Sequence, residues 1–451
     1  MAEIFRGEKF SLTFAPETTY GGATSPANAY VNQVAGIFES ANLPDPTMDW
    51  QKFYGFATGS TRNYYRAYKG KVGNVGGLGD VQLLNGVPLR YGIGKCVTEG
   101  TDKGSGGAST LNGAVAAGAT TVTMTDATGY AQNDYIQIGV YTVTGDDAEV
   151  RKISNVNGQI LTLDYPLSYA HDTLEVCNEV IAPYTHTIFE TYEIPSMAWL
   201  ATMQATDYSG ADKATFLTRR YLGGKVGRQT ISCSEGETLR LSWDEVVFKD
   251  WRHNQATYTD ALSAAHNQNK YDANVAEVTP DYPSTEPYFF SYGVCSFYGF
   301  VFARIKQFRL EISNNLEPKY YVSSTAGAGQ IPYEVREGRR EYRIGATVDL
   351  GDEAVATKMA ILSELDAQGV YPTTASGIKG FDISLVFTRG SNDTITFTLP
   401  PSAAAIGGDT QGCLLASAPH NISPEAHTAV DLDIIARSSK IVVVDSEYLY
   451  V

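Results

Sequence analysis

The sequence lacks the residue patterns of disulfide, metal and nucleotide sites. Its five cysteines occur singly, with no CxxC pair and an odd total, so neither a disulfide framework nor a zinc site is expected. The six histidines follow no HExxH or other metal-ligand spacing. The glycine-rich runs at 70–79 and 223–227 match neither the P-loop nor the GxGxxG order, and no GxSxG elbow occurs. We therefore expect no metal, no cofactor and no enzymatic activity.

Long apolar runs and basic character are also missing. No run is long enough to span a bilayer, and no apolar stretch follows the first residues, so we expect neither membrane insertion nor export by a signal peptide. Acidic residues outnumber basic ones by 50 to 34, giving a net charge of -16, which argues against standing affinity for nucleic acid. The charged fraction of 19% is too low to favour salt adaptation. We expect a protein made in a cytoplasm.

What the chain does contain favours strands. Its 29 tyrosines, 18 phenylalanines and 43 glycines occur among many threonines and valines. Aromatic and β-branched residues suit pleated strands, and glycine suits tight turns. A length of 451 residues leaves room for two or three hydrophobic cores. The composition predicts a mainly β protein with more than one domain.

The amino-acid composition changes at residues 104–180. Gly, Ser, Thr and Ala dominate there, with short alternating runs such as 121–125 and 135–138. The strongest local signal is Asn157-Gly158 between two alternating runs, a pattern typical of a β-hairpin. The sequence predicts a small β domain over this region.

The segments that flank this small domain belong together. Residues 90–94 before it and 185–189 after it both predict strand edges. We therefore interpret the small domain as an insertion into a first domain made of residues 1–103 and 181–252.

The rest of the chain resembles the first domain. Residues 253–287 are polar with little apolar periodicity, which predicts a linker or long loop before a second domain at 288–451. At an offset of about 273 positions, residues 39–46 lie over 312–319, with an Asn-Leu pair in register. These matches indicate an internal duplication.

The second half also predicts a helix. Asp352 is a suitable N-cap, Val355, Met359 and Leu362 form an apolar stripe, and Gly369 ends the pattern. The first half retains only a turn or two of it.

Several of these segments resemble a known family. The runs 304–321 and 331–342, with 43–46 and 84–89 in the first half, are similar to the tail tube proteins of siphoviruses, the long-tailed viruses of bacteria or archaea. The resemblance implies two tandem β-sandwich or half-barrel domains, each with a flanking helix. The insertion at 104–180 is not part of the family pattern, and by its position we expect it on the outside of the tube. Three chains then close a ring of six similar units, whose inner strands form one continuous β-barrel.

The resemblance also implies the partners and the location. Rings stack into a virion tail, with a tape measure protein in the lumen and tail terminator and distal tail proteins at the ends. DNA passes through without specific binding. A ring of roughly 24 strands at ~4.8 Å spacing and ~40° tilt has a backbone diameter of about 40 to 50 Å, wide enough for duplex DNA. Net acidity avoids the counterion-release binding that would stall the DNA.

The charge pattern of residues 304–343 suggests self-assembly residues. Basic and acidic residues are interleaved there, which favours ion pairs, some of them between subunits, over a nucleic-acid-binding stripe. We expect the strand at 304–314 to be a sheet edge that pairs with another subunit. The candidates are Arg304, Lys306, Arg309, Glu311, Arg336, Arg339, Arg340 and Tyr342. Segments 51–60 and 323–330 are candidates for contacts between stacked rings.

Two other functions remain as alternatives. The Thr-rich insertion and the abundant tyrosines also fit a carbohydrate-binding tail spike or adhesin. A cell-wall or capsule hydrolase is a third hypothesis, although the carboxylates cannot be paired into an acid and a base from sequence. The duplicated halves favour the tube subunit, because a pseudo-symmetric ring requires repeated units.

Overall fold

Strands dominate the molecule. The computed structural model describes residues 4–22, 31–54, 64, 66–141, 147–207, 209–254, 270–297, 300–302, 305–322, 328–349, 381–390, 392–399, 412–417, 420–421 and 429–450. Strands account for 59% of the structure and helices for 4%, which confirms the prediction of a mainly β chain. Most strands belong to two large sheets, neither of which closes into a barrel over these residues.

The first sheet is built around a path of eight antiparallel strands. In the order in which they hydrogen-bond, they are β2 (Ser40–Asn42), β5 (Val75–Gln82), β15 (Arg240–Val247), β14 (Asp212–Ser234), β19 (Ile305–Ser313), β22 (Glu341–Asp349), β27 (Ala429–Ala436) and β25 (Leu414–Ser417). Four strands attach beside this path: β1 (Ile4–Pro16), β13 (Met197–Thr206), β16 (Asp250–His253) and β26 (His420–Asn421). Among the described strands, none pairs with the outer edge of β2 or β25.

The second sheet also has twelve strands. Its path is β18 (Phe300–Phe302), β17 (Gly293–Phe297), β23 (Ile383–Thr388), β24 (Thr394–Leu399), β28 (Lys440–Asp445), β12 (Val176–Glu190), β9 (Tyr135–Ile138), β10 (Glu149–Asn157), β11 (Ile160–Leu163) and β8 (Thr121–Thr123). Beside β12 lie β6 (Gly94–Asp102) and β7 (Ala108–Thr110).

The main core lies between the two sheets. Buried residues alternate with more exposed ones along β19, β22 and β27, so one face of the first sheet packs inward, with Leu310, Ile344 and Ile434 fully buried. The second sheet contributes Phe397 and Ile441 to the same cluster. Because this cluster contains residues from both halves of the chain, the halves share one core.

The helical part of the first half differs from the prediction. Residues 90–94 do not form a strand edge, because Arg90–Ile93 form a one-turn helix, α1, directly after a 3₁₀ turn at Val87–Leu89. Proline at the second position of the 3₁₀ turn presets a helical backbone angle, and every residue of both turns is buried. The helix ends at Gly94, whose φ of 154° is rarely adopted by other residues.

Among the described residues, other helical elements are few. Two further 3₁₀ turns lie at Phe290–Tyr292 and Ala328–Gln330. The helix predicted between Asp352 and Gly369 falls outside the described residues.

The region 104–180 contains the predicted hairpin, formed by β10 and β11. Asn157 pairs with Ile160, so the turn is Gly158-Gln159, one residue later than predicted. Gly158 has φ of 59°, which suits the first central position of a type II′ turn. A separate buried cluster, which includes Ile136 and Leu161, lies wholly within this region. The domain boundaries themselves stay predictions.

Two antiparallel ribbons extend the first sheet. The first arm is β3 (Thr47–Phe53) with β4 (Arg66–Gly73), and it lies between β2 and β5 in the chain. The second arm is β20 (Glu317–Lys319) with β21 (Glu334–Arg336), and it lies between β19 and β22. Each arm therefore interrupts a pair of neighbouring strands of the first sheet.

All five cysteines are free and buried. Over the described ranges, no group of His, Cys, Asp and Glu could hold a metal ion. No helix in that part of the chain is long and apolar enough to cross a membrane.

Candidate assembly surface

The outward side of the eight-strand path is a polar surface, which we call the polar face. It consists of the strand residues that alternate with the core residues. Across β22 and β27, Arg343 donates from Nε and Nη2 to the two carboxylate oxygens of Asp433, at 2.7 and 2.6 Å. These hydrogen bonds lower the pKa of Asp433. Nearby, Thr347 Oγ1 donates to Asp431 at 2.8 Å. Ion pairs and charged hydrogen bonds therefore cross between strands here.

The polar face carries more acids than bases. Its arginines are Arg228, Arg240, Arg309 and Arg343. Its carboxylates are Asp80, Asp244, Glu311, Glu341, Asp349, Asp431 and Asp433. A surface of this composition has little attraction for a phosphate backbone.

An eight-strand path whose two end strands have no outer partner among the described strands, with a broad polar face, is suited to assembly rather than to binding a small substrate. A family model described as phage tail tube protein matches residues 184–412, just over half of the chain. The chain belongs to the phage tail tube protein family. No curated protein matches the sequence. As a tail tube protein it is a structural component of the virion tail that assembles into a tube.

The predicted self-assembly residues of this tail tube protein lie in different places. Arg309 and Glu311 lie on the polar face, 3.1 Å apart. Lys306, at the start of β19, lies 3.4 Å from Asp349. Tyr342 is 2% exposed and lies in the core, which leaves it little surface for another subunit.

The remaining candidates lie on or beside the second arm. Arg336 is exposed and donates from Nε to Glu334 at 2.6 Å. Arg339 is exposed, and Arg340 donates from Nε to Asn314 Oδ1 at 2.8 Å. Arg304 lies outside the described residues. The assembly role of the whole set stays a prediction.

The expectation that residues 304–314 form a sheet edge is wrong. Strand β19 hydrogen-bonds to β14 along one side and to β22 along the other. Its backbone groups are therefore satisfied within the chain, and only its side chains can meet another molecule. Among the described strands, the two ends of the eight-strand path are β2 and β25, which are short strands with a weak sequence signal.

Sequence reasoning also missed part of the polar face. Thr230 on β14 donates to Asp244 on β15 at 2.6 Å, and Asp431 and Asp433 lie beside β22. The alternation of Asp with apolar residues at 429–436 was a usable signal, because it places both aspartates on the same side of a strand.

Proposed function

We propose that the chain is an internally duplicated tube subunit, three copies of which close one ring. The order of the first sheet carries this proposal. Strands β2, β5, β15 and β14 are followed by β19, β22, β27 and β25, and the two sets correspond member by member in chain order. An arm follows the first strand of each set, between β2 and β5 and between β19 and β22. A repeated order of this kind supports two units in one chain.

Ring closure follows from the strand count and the free edges. Eight strands per chain give roughly 24 strands for three chains, and at ~4.8 Å spacing and ~40° tilt the backbone diameter is about 40 to 50 Å. The edges β2 and β25 differ, so their pairing is head-to-tail and closes by rotation. Closure pairs the outer edges of β2 and β25 with each other.

The polar face then lines the channel. Because acidic residues outnumber basic ones on this face, a passing DNA duplex does not bind to it by counterion release. The lumen holds a tape measure protein before DNA passage, and tail terminator and distal tail proteins close the two ends.

The insertion at 104–180 decorates the outside of the tube. Its own buried cluster supports treating it as a unit inserted between 1–103 and 181–252. The second domain is 288–451, and 253–287 connects the two. The protein is made in the host cytoplasm.

Contacts between stacked rings involve the arms. Within the candidate segments 51–60 and 323–330, residues 51–53 belong to the first arm, and residues 328–330 form a 3₁₀ turn between the two strands of the second arm. An arm at the end of the sheet suits contact with an adjacent ring.

Electron microscopy tests the ring directly. The purified protein, concentrated alone, is expected to give hollow rings or tubes with three-fold symmetry in negative stain, and light scattering is expected to give the mass of three chains per ring. Dispersed monomers, or compact trimeric spikes without a channel, would contradict the proposal and favour the adhesin hypothesis.

A variant at a free edge tests the closure. Ala416 is exposed on β25, at an irregularity where it is an extra residue without a partner in β27. Proline is tolerated on an edge strand but donates no backbone hydrogen bond. We expect Ala416→Pro to keep the monomer fold, measured by circular dichroism, and to reduce ring formation, whereas Ala416→Ser forms rings. Normal rings from the proline variant would exclude this edge.

A further inference from the structure

The first arm carries positive charge on an acidic protein. Its strands contain four cations, Lys52, Arg66, Lys69 and Lys71, and one carboxylate, Asp49. All four cations are exposed, and among the described residues none has a carboxylate within ion-pair distance. Within the chain two of the cations lie over aromatic rings, with Lys71 Nζ 4.9 Å from the Tyr320 ring centre and Lys52 Nζ 5.7 Å from that of Tyr64. The positive charge of the arm has no counter-charge among the described residues, so an acidic partner stabilises the arm.

Aromatic residues accompany these cations. Trp50 is 51% exposed and stands directly opposite Lys69, and Lys52 lies two residues further on the same face. Phe53 and Tyr68 are 53% exposed on the other face. Exposed tryptophan and tyrosine beside cations are typical of residues that become buried at an interface.

The second arm has no comparable need for a partner. Its four charged strand residues are two acids and two bases, paired as Glu317 with Lys319 and Glu334 with Arg336. Of the two arms, therefore, only the first carries a net positive charge on its strands that an acidic partner would neutralise.

The complementary surface lies at the opposite end of the first sheet. The turn between β14 and β15 exposes Glu235, Gly236 and Glu237. Glu39 and Asp80 lie at the same end, with Arg240 3.6 and 4.0 Å from them. We call residues 235–237 the acidic turn.

The strand registers place the arm and the turn at opposite ends. Strand β5 begins beside the first arm at Val75, which pairs with Val247, and ends at Gln82, which pairs with Arg240 beside the acidic turn. Lys225 on β14 also pairs with Val247, so it lies level with the start of β5, about 30 Å along the strand from Ser234 at the acidic turn.

We propose that the first arm of one copy binds the acidic turn of a copy in the next ring. The inference rests on the proposed ring. All copies in one ring have the same orientation along the tube axis. Neighbouring copies in a ring therefore place first arm beside first arm and acidic turn beside acidic turn. Only head-to-tail stacking brings the first arm to the acidic turn, and head-to-head stacking brings acidic ends together. The charges therefore give the tube a single direction of growth.

Charge reversal and its rescue test the pairing. Lys52→Glu with Lys69→Glu reverses the arm, and Glu235→Lys with Glu237→Lys reverses the turn. Each double variant is expected to form rings by light scattering but no tubes in negative stain at ~0.15 M salt. The quadruple variant is expected to form tubes again. The control Lys52→Arg with Lys69→Arg keeps the charge and is expected to form tubes like the wild type.

The outcomes separate this inference from the ring itself. A wild type without rings overturns the proposed function and this inference together. Rings that stack into tubes despite either reversal, or a quadruple variant that forms rings but no tubes, overturn the arm and turn pairing alone. If the wild type shifts a short DNA duplex in a gel, and the arm reversal abolishes that shift without affecting tubes, the arm binds nucleic acid instead.

Discussion

The two four-strand sets of the first sheet share an order and one buried cluster, but they contribute different kinds of side chain to it. In the first set, Trp243 on β15 contacts three aromatic rings: Trp199 stacked at 5.9 Å, and Phe14 and Tyr91 edge-on at 5.7 and 6.1 Å. In the second set, the corresponding strand β27 buries the aliphatic residues Val430, Leu432 and Ile434. The strand order therefore depends on alternation and backbone pairing, while the core residues vary within the available volume.

The largest expected difference between the sets lies at Trp243. Trp243→Ala removes the centre of the aromatic cluster and leaves the Gln229 Oε1 acceptor, now 3.1 Å from the indole nitrogen, without its donor. We expect the free energy of unfolding to fall by about 3–5 kcal/mol, measured by urea titration. Ile434→Val on β27 is the counterpart in the second set, with an expected loss of about 0.5–1.5 kcal/mol. Equal losses would show that the aromatic cluster adds nothing to the first set.

The C-terminal segment breaks the correspondence between the halves. It follows β28 of the second half but packs on the first, where the Gly86 N–H donates to the Tyr450 hydroxyl at 2.8 Å and Arg90 donates to the Tyr450 carbonyl at 3.2 Å. Burial raises the pKa of Glu447 in this segment from 4.5 to about 7, with nearby Asp445 adding to the effect.

The raised pKa of Glu447 predicts a pH-dependent change in the free energy of unfolding. Its expected size lies between the effect at Trp243 and the effect of a surface ion pair. A carboxyl with a raised folded-state pKa holds its proton more tightly when folded, so stability falls as pH rises from about 4.5 to about 7 and is constant above that. Glu447→Gln removes the titrating carboxyl and with it this fall in stability. Because Glu447 is half-buried, we expect a gain of only about 1 kcal/mol at pH 8, shrinking towards zero near pH 4.5 in thermal unfolding. A gain that is independent of pH would contradict the assignment.

Local patterns predicted the sheets better than they predicted the edges. Alternation identified the strand now seen as β9, and Asn157-Gly158 located the hairpin to within one residue. Alternation reports which face is buried but not which strands are neighbours, so the position of β19 inside the sheet was not predictable.

The helix at Arg90–Ile93 was missed for a different reason. Four residues are too short for a helical periodicity, and their conformation depends on packing of the surrounding core. The candidate surface was only partly predictable as well. Its acids on β27 lie far in sequence from Arg343, and only the sheet order brings them together.

The smallest expected effect compares one ion pair from each set. In the second set, Arg343 and Asp433 form a bidentate pair between β22 and β27. In the first set, the equivalent strands β5 and β15 place Asp80 4.0 Å from Arg240. Exposed pairs are worth about 0.2–1 kcal/mol, with the best geometry at the upper end. Double-mutant cycles with Arg343→Gln and Asp433→Asn, and with Arg240→Gln and Asp80→Asn, are expected to give a larger coupling for the bidentate pair. A larger coupling in the first set would mean that Asp80 contributes through contacts in the assembled ring, because distance and orientation within one chain favour the second set.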